Sequence, residues 1–144
     1  MSRVVVLGSS FGGITAAYRL RKLLPSRHEV VLISNSRMFV YRPALPRVVL
    51  GVREPGDIAV DIRGSLADRG IRFLQATVEG IDPKEQVVST TRGEASYDYL
   101  VIALGAHIER NAVPGLDEHT ECILWLDDAV RVRRRLEAFI GGDI

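Results

Sequence analysis

Val4-Val5-Val6-Leu7-Gly8-Ser9-Ser10-Phe11-Gly12-Gly13-Ile14-Thr15-Ala16-Ala17 decides how this chain is read. Four apolar residues run into a glycine-rich turn, and a pattern of small helix-forming residues follows at once. A buried strand has this order when it turns sharply and offers its backbone to a phosphate. The spacing is that of G-x-G-x-x-G with one change: Gly8 and Gly13 hold the outer places and Ser10 the middle one. Each place has its own physical demand. Gly8 permits the tight turn, the middle residue lets a pyrophosphate approach the backbone, and Gly13 lets the helix lie close to the strand. Free N–H groups and the positive end of the helix dipole then face the phosphates. Ser10 places a small side chain at the middle position, and its hydroxyl is a donor to phosphate. A strand–turn–helix without a ligand would use the same residues, so the turn alone leaves both readings open.

Outward from the turn, Thr15 to Leu24 reads as the first helix, with Ala16, Ala17, Leu20, Leu23 and Leu24 on one face and Pro25 ending it. Glu29 to Ile33 is a second strand, apolar without interruption and so buried on both faces. Strand, helix and strand in this compass form a βαβ unit with parallel strands. A dinucleotide site usually has an acid at the end of the second strand to bind ribose hydroxyls. Ser34 and Asn35 stand there instead; they either hydrogen-bond the ribose without charge assistance or form a plain turn. Met38 to Pro46 is an aromatic loop with two prolines, Arg47 to Leu50 a short helical piece, and Asp57 to Ile62 extended or irregular. Arg63 to Arg69 is a short helix and Ile71 to Leu74 a third strand. Ala76 to Asp82, Gln86 to Thr90 and Ala95 to Tyr97 then form an antiparallel meander. Tyr99 to Ala103 reads as another continuous buried strand ending in Leu104-Gly105-Ala106, and Asn111 to Leu116 as a loop. The last helix runs from Asp127 to about Phe139, with Ala129, Val132, Leu136 and Phe139 inward and the arginines of 131–135 mostly outward. The fold class is α/β: a Rossmann-like parallel sheet with helices and an antiparallel three-stranded meander, in a single domain spanning 1–144.

Composition excludes several classes of function. The chain has 144 residues, 47% of them hydrophobic, enough for a globular core. Lysine and arginine number 19 against 18 acids, which gives no support to nucleic-acid binding. A single cysteine, Cys122, excludes an internal disulfide and a CxxC pair. His28, His107 and His119 lack metal-ligand spacing, so no metal site is expected. No apolar run approaches the length of about 18 residues that a membrane span needs. The chain therefore reads as cytoplasmic or peripheral to the cell membrane.

Four segments taken together carry a resemblance: Val5 to Gly13, Val31-Leu32-Ile33-Ser34-Asn35, Phe39 to Pro46, and Tyr97-Asp98-Tyr99-Leu100-Val101-Ile102-Ala103-Leu104-Gly105. They are similar to the N-terminal part of the two-dinucleotide-binding-domain flavoprotein oxidoreductases. Within that group the chain most resembles the sulfide:quinone oxidoreductases, with the type II NADH dehydrogenases as near relatives. The resemblance covers essentially the whole chain. It implies FAD as cofactor. Gly8, Ser10, Phe11, Gly12 and Gly13 would cradle its pyrophosphate, and Ser34 and Asn35 would face the adenosine ribose. Arg42 and Pro43 would pack beside the isoalloxazine and ribityl parts. Val78 would meet the adenine through its backbone, and Ala103 and Gly105 would form the turn that approaches the cofactor. Leu104 replaces the family's threonine there, so a hydroxyl is lost. Cys122 is either a sulfur nucleophile near the flavin or a free structural cysteine; Glu121 beside it opposes a thiolate.

The resemblance also implies that a second nucleotide domain follows the last helix, and that Gly141-Gly142-Asp143-Ile144 leads into it. The chain is then expected to be a fragment without turnover of its own. Quinone and sulfide would be partners of the longer protein, whose C-terminal segments would supply the membrane attachment. An exposed sheet edge would also favour pairing into a homo-oligomer. Two other readings remain: a type II NADH dehydrogenase or related pyridine-nucleotide reductase, and a stand-alone nucleotide-binding module.

Overall fold

The computed structural model describes residues 1–110 and 112–142. In chain order the elements are β1 (Arg3–Leu7), α1 (Phe11–Leu23), β2 (Glu29–Ser34), β3 (Met38–Val40), α2 (Leu45–Val49), β4 (Ala59–Asp61), α3 (Arg63–Ala67), β5 (Arg72–Gln75), β6 (Val78–Asp82), β7 (Val87–Thr90), β8 (Gly93–Ser96), β9 (Tyr99–Ile102), α4 (Leu116–His119) and α5 (Leu126–Gly141). Short 3-10 turns lie at Arg42–Ala44 and Pro55–Ile58. The chain divides into two compact units: Met1–Phe39 with Asp61–Ala106, and Val40–Val60 with His107–Ile144.

The first unit is built on a four-stranded parallel sheet in the order β5-β2-β1-β9. Leu7 of β1 lies level with Ile33 of β2 on one side and Ile102 of β9 on the other. Because strand side chains alternate between faces, β1 serves two cores. Val6 packs with Ala17, Val30, Leu32, Ile62, Leu66 and Ile71 on the side of α1 and α3. Val5 and Leu7 pack with Val31, Ile33, Ala76 and Val88 on the side of the β6-β7-β8 meander. The unbroken apolar runs of β1 and β2 are thus explained by cover on both faces. β9 differs from the expectation of a buried strand. It is an edge strand with Tyr99 65% and Ile102 62% exposed, since its environment is set by its neighbours and not by its own composition.

α1 begins at Phe11, earlier than the Thr15 expected, because Gly12 and Gly13 are already helical behind an extended Ser10. Its buried stripe runs through Gly13 and Ala17, with Ile14, Ala16, Leu20 and Leu24 packed against the core. Leu23, expected inward, is 69% exposed.

The second unit has a smaller core of Leu45, Val48, Val49, Ile58 and Ala129, joined by Leu126, Val130, Val132 and Leu136. α2 packs on α5 there. Pro46 sits in the first turn of α2, where its missing N–H costs nothing. α5 ends at Gly142, which takes the left-handed conformation at φ 81. Phe139, expected inward, is 69% exposed. α4 begins at Leu116, the last residue of the segment read as a loop; Asn111, Asp143 and Ile144 lie outside the described residues. No helix among the described residues is long and apolar enough to cross a membrane.

Candidate functional site

The chain leaves β1 toward β2 and β5 on one side, while β9 returns to the other side of β1. The carboxyl ends of β1 and β9 therefore flank a topological switch point, where open parallel sheets take their ligands. Two hydrogen bonds close this end of the sheet. The Gly8 amide donates to the Ile33 carbonyl at 2.8 Å, and the Ala103 amide donates to the Leu7 carbonyl at 2.9 Å.

The glycines are there for separable steric reasons. Gly8 has φ +97, and a Cβ on it would lie 2.9 Å from the Ala103 carbonyl carbon. A Cβ on Gly13 would lie 2.8 Å from the Gly8 carbonyl carbon, so α1 rests directly on the backbone of the turn. Gly12 is different. A Cβ there would meet the Ala103 Cβ at 3.6 Å, an ordinary contact. The protein's own packing does not need a glycine at 12.

Ser10 is the N-cap of α1, extended, and its carbonyl accepts from the Ile14 amide at 3.0 Å. Its side chain makes no capping bond, and the first turn carries no acid. The start of α1 thus keeps its positive character uncapped by any side chain, which suits an anion. Phe11 stacks edge-on against Phe39 with centroids 5.0 Å apart. These residues fit a pyrophosphate: a backbone turn without side-chain obstruction, an unneutralised helix start, and a glycine whose smallness serves nothing inside the chain.

Ser34 is buried at the end of β2, and its hydroxyl lies 2.8 Å from Ser9 Oγ. Sequence reasoning missed Ser9. The signal was the parallel register, which sets Gly8 beside Ser34 once β1 and β2 are paired through Leu7 and Ile33. Asn35 is exposed. Val78 opens β6 at a register irregularity between Val78 and Gly80, where the ladder with β7 is interrupted. Gly105 has φ +84 with open space around a Cβ, so it is glycine for conformation and not for crowding.

Gly8, Ser10, Phe11, Gly12, Gly13, Ser34, Asn35, Val78, Ala103 and Gly105 all belong to the first unit; Arg42, Pro43 and Cys122 belong to the second. Arg42 and Pro43 form the 3-10 turn, with the Arg42 guanidinium 4.1 Å from the Trp125 ring centroid. Cys122 is half-buried. Its neighbour Glu121 is held below the usual carboxylate range by the hydrogen bond from Arg135, with Arg131 adding to it. Burial pushes the Asp128 carboxyl up, but the Trp125 amide and the Arg131 guanidinium outweigh it and hold the group below its usual range.

The described residues contain no cluster of His, Cys, Asp or Glu able to hold a metal. A cleft of about 310 Å³ lined by Arg3, Glu29, Ser96 and Asp98 lies at the amino ends of the strands. Ion pairing fills its chemistry: Arg3 Nε meets Glu29 at 2.6 Å and Arg72 meets it at 3.2 Å.

A parallel sheet with a glycine turn at its switch point, covered by helices on one face and a β-meander on the other, defines a nucleotide-binding fold of the Rossmann type. Residues 2–142 match the pyridine nucleotide-disulphide oxidoreductase family, and the chain belongs to that family. It is 36% identical over 135 residues to the sulfide-quinone reductase of Aquifex aeolicus, covering 93% of this chain and 31% of that protein. It is 33% identical over 151 residues to an alternative NAD(P)H-ubiquinone oxidoreductase C1 of Arabidopsis thaliana, covering 93% and 29% respectively. The crystal structure of the Aquifex aeolicus sulfide:quinone oxidoreductase superposes with a TM-score of 0.90 at 34% identity, over 98% of this chain and 33% of that one. The chain thus spans about a third of the length of these relatives.

Proposed function

We propose that residues 1–144 are the N-terminal part of an FAD-binding domain in a flavoprotein that oxidises sulfide and reduces quinone. The observation that carries the reading is the turn from Gly8 to Gly13 at the switch point: Gly13 is required by the fold, while Gly12 is free of it. In this reading the first-turn amides of α1 and the Ser10 hydroxyl hold the FAD pyrophosphate. The backbone around Ala103 and Gly105 lines the far wall, and the end of β2 meets the adenosine ribose. Arg42 and Pro43 serve the flavin end. When bound, FAD supplies the two-electron transfer between donor and acceptor; the protein binds and orients it. The likeness to the Aquifex aeolicus sulfide:quinone oxidoreductase in sequence and fold supports sulfide as donor. The Arabidopsis relative supports NAD(P)H as the second reading. Sulfide-dependent against NADH-dependent quinone reduction, assayed on the polypeptide that carries this chain, decides between them. Sulfide-driven reduction is expected, and NADH oxidation without it would select the second reading. The 144 residues by themselves are expected to show neither activity. A location in the cytoplasm or peripheral to the membrane accompanies this function.

A further inference from the structure

The turn that closes α2 carries apolar side chains outward. Leu45, Val48 and Val49 lie in the core of the second unit, whereas Leu50 and Val52 just beyond them are 67% and 65% exposed. The turn is held by its own backbone. The Leu50 amide donates to the Pro46 carbonyl at 3.1 Å, and the Gly51 amide to the Val48 carbonyl at 3.0 Å. The Val52 and Arg53 amides both donate to the Arg47 carbonyl, at 2.8 and 3.1 Å. Gly51 takes the left-handed conformation at φ +69, which lets the chain double back. Arg47 and Arg53 therefore flank the tip formed by Leu50 and Val52. Both are exposed, and neither side chain has an ion pair or hydrogen bond among the described residues. Glu54, next along the chain, is engaged by Arg133 at 3.1 Å, and Asp57 accepts from the Glu54 amide at 3.1 Å.

Each of these features suits a lipid surface. Amides bonded inside the turn carry no desolvation cost into a region of low dielectric. Aliphatic side chains gain by leaving water. Arginines without an acid partner are drawn to anionic headgroups, while their stems lie along the apolar layer.

We propose that the turn from Arg47 to Arg53 is a membrane contact: Leu50 and Val52 enter the boundary between headgroups and acyl chains of an anionic bilayer, and Arg47 and Arg53 meet its headgroups. The contact belongs to this chain itself and is separate from any attachment made by later segments. It goes beyond the cofactor reading and does not depend on it.

The test is co-sedimentation of the whole chain with sucrose-loaded vesicles of phosphatidylcholine containing phosphatidylserine, against vesicles of phosphatidylcholine alone, with a melting curve for each variant. The wild type is expected to pellet with the anionic vesicles and to leave them as salt rises. Arg47→Gln combined with Arg53→Gln weakens the partitioning about 25-fold, from about fivefold for each basic side chain near an anionic surface. Leu50→Asp and Val52→Asp each weaken it at least about tenfold. Leu23→Asp, at a similarly exposed leucine of the first unit, leaves it unchanged. A wild-type chain that stays in the supernatant overturns the proposal. So does pelleting that Leu50→Asp and Val52→Asp leave intact, or that is equal on neutral vesicles. Self-association that Leu50→Asp abolishes, without vesicle binding, overturns it in favour of a second copy as the occupant. Should Arg47→Gln disturb α2, the salt dependence of the wild type and the Val52→Asp variant carry the test. Every one of these outcomes leaves the FAD reading standing, since none involves the nucleotide.

Discussion

In the first unit Val5, Val6, Leu7, Val30, Leu32 and Ile33 have no exposed surface at all, and two glycines bring backbone against backbone. In the second, the core is Leu45, Val48, Val49, Ile58 and Ala129, and arginine–carboxylate pairs run along α5. The two regions show two ways of holding a chain in place. Close packing of backbone and β-branched side chains has no slack, so it fixes a turn to within a fraction of an ångström. Exposed ion pairs are each worth little and fade with salt. The residues proposed to meet a pyrophosphate through backbone amides sit in the first kind of surroundings. Arg42 and Cys122 sit in the second.

The comparison breaks most readily at Gly13. Gly13→Ala drives a Cβ into the Gly8 carbonyl. It is expected to cost about 3 kcal/mol or more in urea unfolding, the upper range for overpacking against a backbone that cannot move. A loss under about 1 kcal/mol would show that the turn has slack after all. Next in size is Asp128→Ala in the second unit, which removes the acceptor for the Trp125 amide at 2.9 Å and for Arg131 at 3.0 Å. A loss of about 1–2 kcal/mol is expected, in line with a lost helix cap. No loss would mean that α5 is held by its apolar face alone.

The smallest effect sharpens the comparison through acid titration. Hydrogen bonding from the Arg63 side chain, and then from its backbone, lowers the Asp61 pKa from 3.8 to about 2, with charge attraction from Arg63 and Arg37 added. A carboxylate depressed in the folded state stabilises above its unfolded pKa and loses that contribution as pH falls through its folded one. The contribution of Asp61 should therefore be complete at neutral pH and fade between about pH 4 and pH 2. Because the group is only half-buried and open to solvent, Asp61→Asn should change neutral-pH stability only slightly and flatten the acid limb. Comparing unfolding curves of the two proteins between these pH values checks it.

Much of the first unit was legible in the sequence because its signals are local. Uninterrupted Val-Ile-Leu runs read as strands covered on both faces, and the spacing of Gly8 and Gly13 reads as a turn into a helix. What escaped depends on partners. β9 has the composition of a central strand and lies at an edge, since only the pairing decides which strand ends the sheet. Leu23 and Phe139 sit at apolar positions on their helices but fall outside the stripes that the neighbouring elements cover. Of the residues expected at the site, Gly8, Gly12, Gly13, Ala103 and the end of β2 lie together at the carboxyl ends of the strands. The burial of Ser34 could not be read from spacing, because it depends on neighbours: Ser34 pairs with Gln75 of β5 and accepts from Ser9, a residue that the fingerprint leaves unspecified.

The central claim is that the turn at 8–13 is a pyrophosphate cradle, and Gly12 separates that claim from the fold. A Cβ at 12 meets nothing closer than 3.6 Å. Gly12→Ala should leave the melting temperature unchanged or raise it, since alanine is the better helix former by up to about 1 kcal/mol. If the turn holds FAD, the same substitution obstructs the ligand's approach. The measurement is an FAD titration of the wild-type and Gly12→Ala chains under identical conditions. The account predicts an affinity at least about tenfold weaker in the variant, equivalent to about 1.4 kcal/mol, with stability intact. Equal FAD affinity in the two proteins would contradict it.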